Sequence, residues 1–162
     1  MQDGLVIAPE TPENPDVLAL LAAGDAFSAA LYPAKSRHSL ELGDILCPEV
    51  TFLVARAEGR AVGCGAVVRR PGGYGEVKRM YVAGEARGLG IGRRLLTELE
   101  QVARGQGLSW LGLETGIHQA AAIALYRGTG FREIEPFGQY VHDPLSLFMR
   151  KDLQAGTVAD GR

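Results

Sequence analysis

Three glycines at alternate positions, Gly88, Gly90 and Gly92, stand between a strand-like segment ending at Val82 and the clearest amphipathic helix of the chain. Within residues 89–104, Leu95, Leu96, Leu99, Val102 and Ala103 fall on one face at helical spacing. A helix N-terminus presents about four backbone N–H groups without intrahelical partners and roughly half a positive charge. Glycine lets that backbone turn tightly and lets an anion come close. Arg87, Arg93 and Arg94 add cationic donors around the same mouth. The segment therefore reads as a phosphate or pyrophosphate site at a strand–helix junction. The plainer alternative is a tight turn that needs only glycine torsions. Two familiar nucleotide loops are excluded: the spacing is not Gly-x-Gly-x-x-Gly, and no Gly-Lys-Ser/Thr follows.

Glycine accounts for 22 of the 162 residues, about twice the average usage. Most of the excess lies between residues 59 and 138, so it marks turns and close approaches rather than low complexity. A chain of this length is expected to form one domain, over residues 1–152, with 153–162 as a flexible tail. The formal net charge of −2 argues against a nucleic-acid surface. No apolar run approaches a membrane span, and the N-terminal residues lack a basic-then-apolar leader. Cys47 and Cys64 are too few for a disulfide framework or a zinc site. These features predict a reduced, cytoplasmic protein without a metal.

Apolar patterning predicts a strand over residues 4–8 and a helix opened by Asn14-Pro15 and ending near Tyr32-Pro33. Ser36 is expected to cap a second short helix that turns Leu40, Ile45 and Leu46 inward. Period-two segments at 51–57, 61–69 and 74–82 predict three antiparallel strands in succession. After the long helix come a strand at 110–115, a helix at 119–127, and strands at 131–134 and 145–150. The pattern predicts an α/β (α+β) fold with a mixed, mostly antiparallel central sheet flanked by helices.

Arg87-x-x-Gly90-x-Gly92 resembles the coenzyme A pyrophosphate signature of the GNAT superfamily of N-acetyltransferases. The segment Ala122-Ile123-Ala124-Leu125-Tyr126-Arg127-Gly128-Thr129-Gly130-Phe131 resembles that superfamily's second signature. The likeness spans roughly residues 4–151 and is most specific over 76–131. It implies splayed fourth and fifth strands, acetyl-CoA as cosubstrate, and pantetheine held along Met80, Tyr81 and Val82. It also implies that the pyrophosphate rests on Arg87, Gly88, Leu89, Gly90, Ile91, Gly92 and Arg93, with Gln119 in the place of the family's asparagine.

By the same resemblance Tyr126 matches the general acid toward the departing thiolate, although a helix tyrosine is also ordinary core material. Glu76 matches a carboxylate that takes the acceptor's proton, while a strand glutamate beside Lys78 and Arg79 is equally an ion-pair partner. Simple alternation puts Glu76, Lys78 and Met80 on one face of their strand. The acceptor pocket is expected to draw on Tyr32, Ser36, His38, Glu114 and Tyr140. The stretches Tyr32-Pro33-x-x-Ser36-x-His38 and Glu114-Thr115-Gly116 with Pro136-Phe137-Gly138-x-Tyr140 resemble a bacterial YsnE-like subgroup. The implied activity is direct acetyl transfer to a small-molecule amine, with homodimerisation left open. Two other readings stand: a protein or peptide N-acetyltransferase, and a non-catalytic acyl-CoA-binding regulatory module.

Overall fold

A computed structural model describes residues 4–153. Seven strands make one sheet: β1 (Leu5–Pro9), β2 (Val50–Ala57), β3 (Arg60–Arg70), β4 (Tyr74–Val82), β5 (Trp110–Gly116), β6 (Arg132–Ile134) and β7 (Ser146–Asp152). Their spatial order is β1-β2-β3-β4-β5-β7-β6, and every neighbouring pair is antiparallel except β4 with β5. Helices α1 (Pro15–Leu31) and α2 (Leu42–Ile45) cover one face; α3 (Ile91–Gly105) and α4 (Ala120–Gly128) cover the other. The expected mixed, mostly antiparallel sheet between helix layers is the observed fold.

Because both faces are covered, the central strands are buried on alternate residues in both directions. On β2, Leu53 and Ala55 join the core under α3, whereas Phe52 and Val54 join the core under α1 and α2. Ile91, Leu95, Leu99 and Ala103 recur at helical spacing and are at most 3% exposed, which anchors α3 along the sheet. Burying each large aliphatic side chain there contributes roughly 1.5–3 kcal/mol.

Three expectations are corrected. Ser36 does not cap α2: it ends a 3-10 turn over Ala34–Ser36, and its hydroxyl donates to Asp143 Oδ2 at 2.8 Å. Leu46, expected inward, is 49% exposed because α2 is a single turn. Leu153, assigned to the tail, is 2% exposed and its N–H donates to Ser109 O, so the domain includes it. Residues 154–162 lie outside the described residues.

A fourth correction lies in β4 and matters for the site. Pairing with β3 slips between Cys64 and Ala66, and Arg79 takes a φ of 60°. That bulge inserts one residue, so the alternation predicted for Glu76, Lys78 and Met80 breaks. Lys78 stays on the α2 side, whereas Met80 points under α3, its sulfur where a side chain on Gly65 would sit. A left-handed torsion costs a non-glycine residue about 1–2 kcal/mol. Arg79 recovers this through Nε on Leu40 O at 2.9 Å and an ion pair with Asp25 at 2.5 Å.

The parallel pairing of β4 with β5 is confined to Gly75 opposite Leu111 and Glu76 opposite Gly112. Past Glu76 the two strands part, as expected, and the sheet opens into a wedge. No helix among the described residues is long and apolar enough to cross a membrane.

Candidate active site

The wedge continues into a cleft of about 560 Å³. Along β4 it runs from Lys78 to Val82 and on into the glycine turn; β5, α4 and the end of α1 supply the other walls. Of the residues proposed from sequence, Met80, Tyr81, Val82, Arg87, Gly88, Gly90, Ile91, Gly92, Gln119, Tyr126, Tyr32, Ser36, His38 and Glu114 line it. Glu76, Leu89, Arg93 and Tyr140 do not.

The glycine turn divides its labour. Gly88 and Gly90 have φ values of +81° and +80°, and a Cβ on either would project into open space. Both serve by torsion, leaving the backbone uncovered. Gly92 serves by contact instead: a Cβ there would lie 3.1 Å from Leu125, so it lets α3 and α4 pack closely. The first intrahelical bond of α3 runs from Arg94 N to Gly90 O, which leaves the Ile91, Gly92 and Arg93 amides as N-terminal donors. Arg87 is drawn to the mouth, with Nε on Val82 O at 3.0 Å and its guanidinium over the rings of Phe27 and Tyr81. Arg93 and Arg94 are exposed beside it.

Tyr126 is held by the turn that follows α4. Gly130 at φ +107° reverses the chain, Phe131 N donates to Tyr126 O at 3.0 Å, and the Phe131 ring meets the Tyr126 ring at 5.7 Å. The phenol is 6% exposed, lines the cleft and donates no hydrogen bond within the described chain. Burial, and next the negative charge of Glu114, push its pKa well above the ordinary phenol value. Glu114 enters from β5 with Oε2 accepting the Ser146 hydroxyl at 2.7 Å. Burial raises its pKa above the usual carboxylate value, against the opposing pull of that hydrogen bond and of His38 and Lys78.

Glu76 occupies a different setting, behind the cleft wall. It is 3% exposed, with Oε1 on Arg70 at 2.8 Å and Oε2 accepting the Tyr140 hydroxyl at 2.5 Å. Lys78 lies 3.6 Å from the same carboxylate and donates to Tyr140 Oη at 2.8 Å and to His38 O at 2.5 Å. Burial lowers the Lys78 pKa and raises that of Tyr140. Tyr140 thus faces the ion network rather than the cleft, and its ring meets those of Phe137, Phe148 and His38 edge-on or tilted.

The segment from Tyr32 to Leu40 closes the far end. Tyr32 Oη accepts the His118 N–H at 3.0 Å, and its ring stacks on the His118 ring at 5.7 Å. Gly116 makes room for this: a Cβ there would stand 1.9 Å from Tyr32 Oη. Gly116→Ala therefore expels Tyr32 and is expected to cost roughly 1–3 kcal/mol by denaturant unfolding, as overpacked sites do. Sequence reasoning overlooked Arg37 and His118, both in the cleft wall. Arg37 stands between two residues that were named, and its orientation has no local sequence signal.

The cleft fits acetyl-CoA on these observations: an open, uncovered glycine backbone, α3 amides and three arginines at one end, and an unpaired β4 edge leading inward. A family model for the acetyltransferase (GNAT) family matches residues 20–131. An IAA acetyltransferase of Azospirillum brasilense is 53% identical over 92% of this chain and 98% of its own. The uncharacterized N-acetyltransferase YsnE of Bacillus subtilis is 35% identical over 75% of this chain and 82% of its own. A Klebsiella pneumoniae crystal structure, assigned as an acyl-CoA N-acyltransferase, superposes with a TM-score of 0.80 at 41% identity, covering 92% of this chain and 97% of that one. More distant structures of the same fold hold acetyl-CoA or coenzyme A. The chain belongs to the GNAT family and is an acetyl-CoA-dependent N-acetyltransferase.

Proposed function

We propose that the acceptor is the primary amine of a small molecule and that it attacks directly, in a ternary complex. The observation that carries this reading is the shared cleft: Tyr126, Glu114 and the glycine turn face one space whose acceptor end is bordered by an anchored segment. Tyr32 on Gly116, Ser36 on Asp143 and His38 O on Lys78 bind the segment over residues 32–38 to three separate parts of the molecule. That anchoring supports a small acceptor over an extended peptide. So does the relative named for IAA acetylation.

When bound, acetyl-CoA supplies the activated acetyl thioester. The Ile91, Gly92 and Arg93 amides with Arg87 hold its phosphates, and the β4 edge at Met80, Tyr81 and Val82 holds its amide arm. Gln119, at the N-cap of α4, sits along the same wall. Attack needs a neutral amine, because a protonated one has no lone pair. Glu114 Oε1 takes that proton: the carboxylate lines the cleft and its raised pKa makes it the stronger base. Tyr126 Oη stays protonated through neutral pH and donates toward the negative charge that grows on the leaving sulfur. Glu76, expected from sequence as the base, instead holds Lys78 and Tyr140 in position behind the wall. Positioning supplies most of the rate.

Direct transfer predicts intersecting initial-rate lines when both substrates are varied; parallel lines, the mark of an acetylated enzyme, contradict it. Glu114→Gln tests the base. Because the Glu114 pKa is raised, the wild-type rate falls with decreasing pH through a value above the ordinary 4.5. With a weakly basic acceptor, Glu114→Gln is expected to lower kcat about 100-fold and remove that acidic limb. A limb that survives the substitution assigns the titration elsewhere.

A further inference from the structure

Among the described residues, one cation at the acceptor end of the cleft is used by no protein group. Lys78 is committed to His38 O and Tyr140, and Arg79 to Leu40 O and Asp25. Arg37 lies between Ser36 and His38 on the closing segment and lines the cleft. Its Nε is buried and has no hydrogen-bond partner. No acidic side chain among the described residues pairs with its guanidinium: of the carboxylates at this end of the molecule, Asp143 takes the Ser36 hydroxyl and Glu114 the Ser146 hydroxyl.

A buried guanidinium N–H without a partner is costly, since the group has lost water and gained nothing. The Nε itself is shut off from the cleft, so a ligand meets the half-buried guanidinium through its Nη donors, a planar pair that a carboxylate matches best. The segment carrying Arg37 meets β4 at Lys78 and Arg79, whereas the glycine turn begins beyond Val82. Arg37 is thus at the opposite end of the cleft from the phosphate donors. From this we infer that the acceptor is an amino acid-like molecule, whose carboxylate binds Arg37 while its amine faces Glu114. This rests on the small-amine reading above and names its substrate class. Rings of Tyr32, His38 and His118 border the same space, so an aromatic body is accommodated.

The test pairs acceptors that differ only by the carboxylate: phenylalanine against phenethylamine, and leucine against isoamylamine. In the wild type the amino acid is expected to exceed its amine in kcat/KM by 10-fold or more. Arg37→Gln raises KM for the amino acid about 10- to 100-fold, leaves kcat and the acetyl-CoA KM within twofold, and leaves the amines unchanged. Arg37→Lys restores part of the loss. A second arm needs no turnover: phenylacetate, which has no amine, is titrated calorimetrically into the enzyme saturated with coenzyme A. Loss of its binding in Arg37→Gln supports the inference even if no amine in the panel is acetylated, an outcome that removes only the small-amine reading. Equal kcat/KM within each pair, or phenylacetate affinity unchanged by Arg37→Gln, overturns it.

Discussion

Replacing Tyr126 by phenylalanine is expected to lower kcat by roughly 10²- to 10³-fold while the Kd for acetyl-CoA stays within twofold. The expectation follows from where the hydroxyl is and what it lacks. The ring is buried against Phe131, and phenylalanine keeps that packing, so the fold scarcely registers the change. The hydroxyl itself bonds to no group of the described chain and opens on the cleft. Its removal therefore costs no internal hydrogen bond, only the donor proposed for the leaving sulfur. Burial and the Glu114 charge hold the phenol protonated, so the wild-type donor is present across the working pH range. A kcat within twofold of the wild type takes Tyr126 out of the mechanism and leaves it as core.

The second large effect is on binding. Gly90→Val is expected to weaken acetyl-CoA about 100-fold. Its φ of +80° penalises any side chain, and a β-branched one most. The added methyls also cover the backbone that an anion must approach. Torsional strain alone would lower stability without touching affinity, and Gly59 separates the two effects. It has a φ of +82° in the hairpin between β2 and β3, with open space at its Cβ and no part in the cleft. Gly59→Val should lose comparable stability yet bind acetyl-CoA as the wild type does. Full affinity in Gly90→Val contradicts the assignment of the turn.

Regular elements were legible in the sequence because each carries a repeated signal. The α3 stripe at Leu95, Leu99 and Ala103, the glycine turn and the two-residue period of β2 and β3 each repeat several times over. Single-residue events were not. The bulge at Arg79 has no glycine to announce it, and its torsion is held by Leu40 O and Asp25, which are 39 and 54 residues away. One inserted residue moved Met80 to the other face. Ser36 reads as a helix cap locally, but its partner Asp143 lies 107 residues on. Tyr32 could be named as a lining residue, whereas its seat on Gly116 required the fold. The same applies to the division between Glu114 and Glu76. Both are strand glutamates, and only the three-dimensional arrangement shows one in the cleft and the other enclosed by Arg70 and Tyr140.

The proposed chemistry is acetyl transfer to a small amine from a cleft that holds acetyl-CoA at the glycine turn. The most direct measurement follows thiol release from acetyl-CoA, with mass spectrometry of the acceptor, across amines, amino acids, aminoglycosides, IAA and short peptides. The expected result is acceptor-dependent release, one acetyl group added per thiol, and a preference for small amines over peptides. Tight acetyl-CoA binding with no acceptor-dependent release, or acetylation of peptides alone, would contradict it.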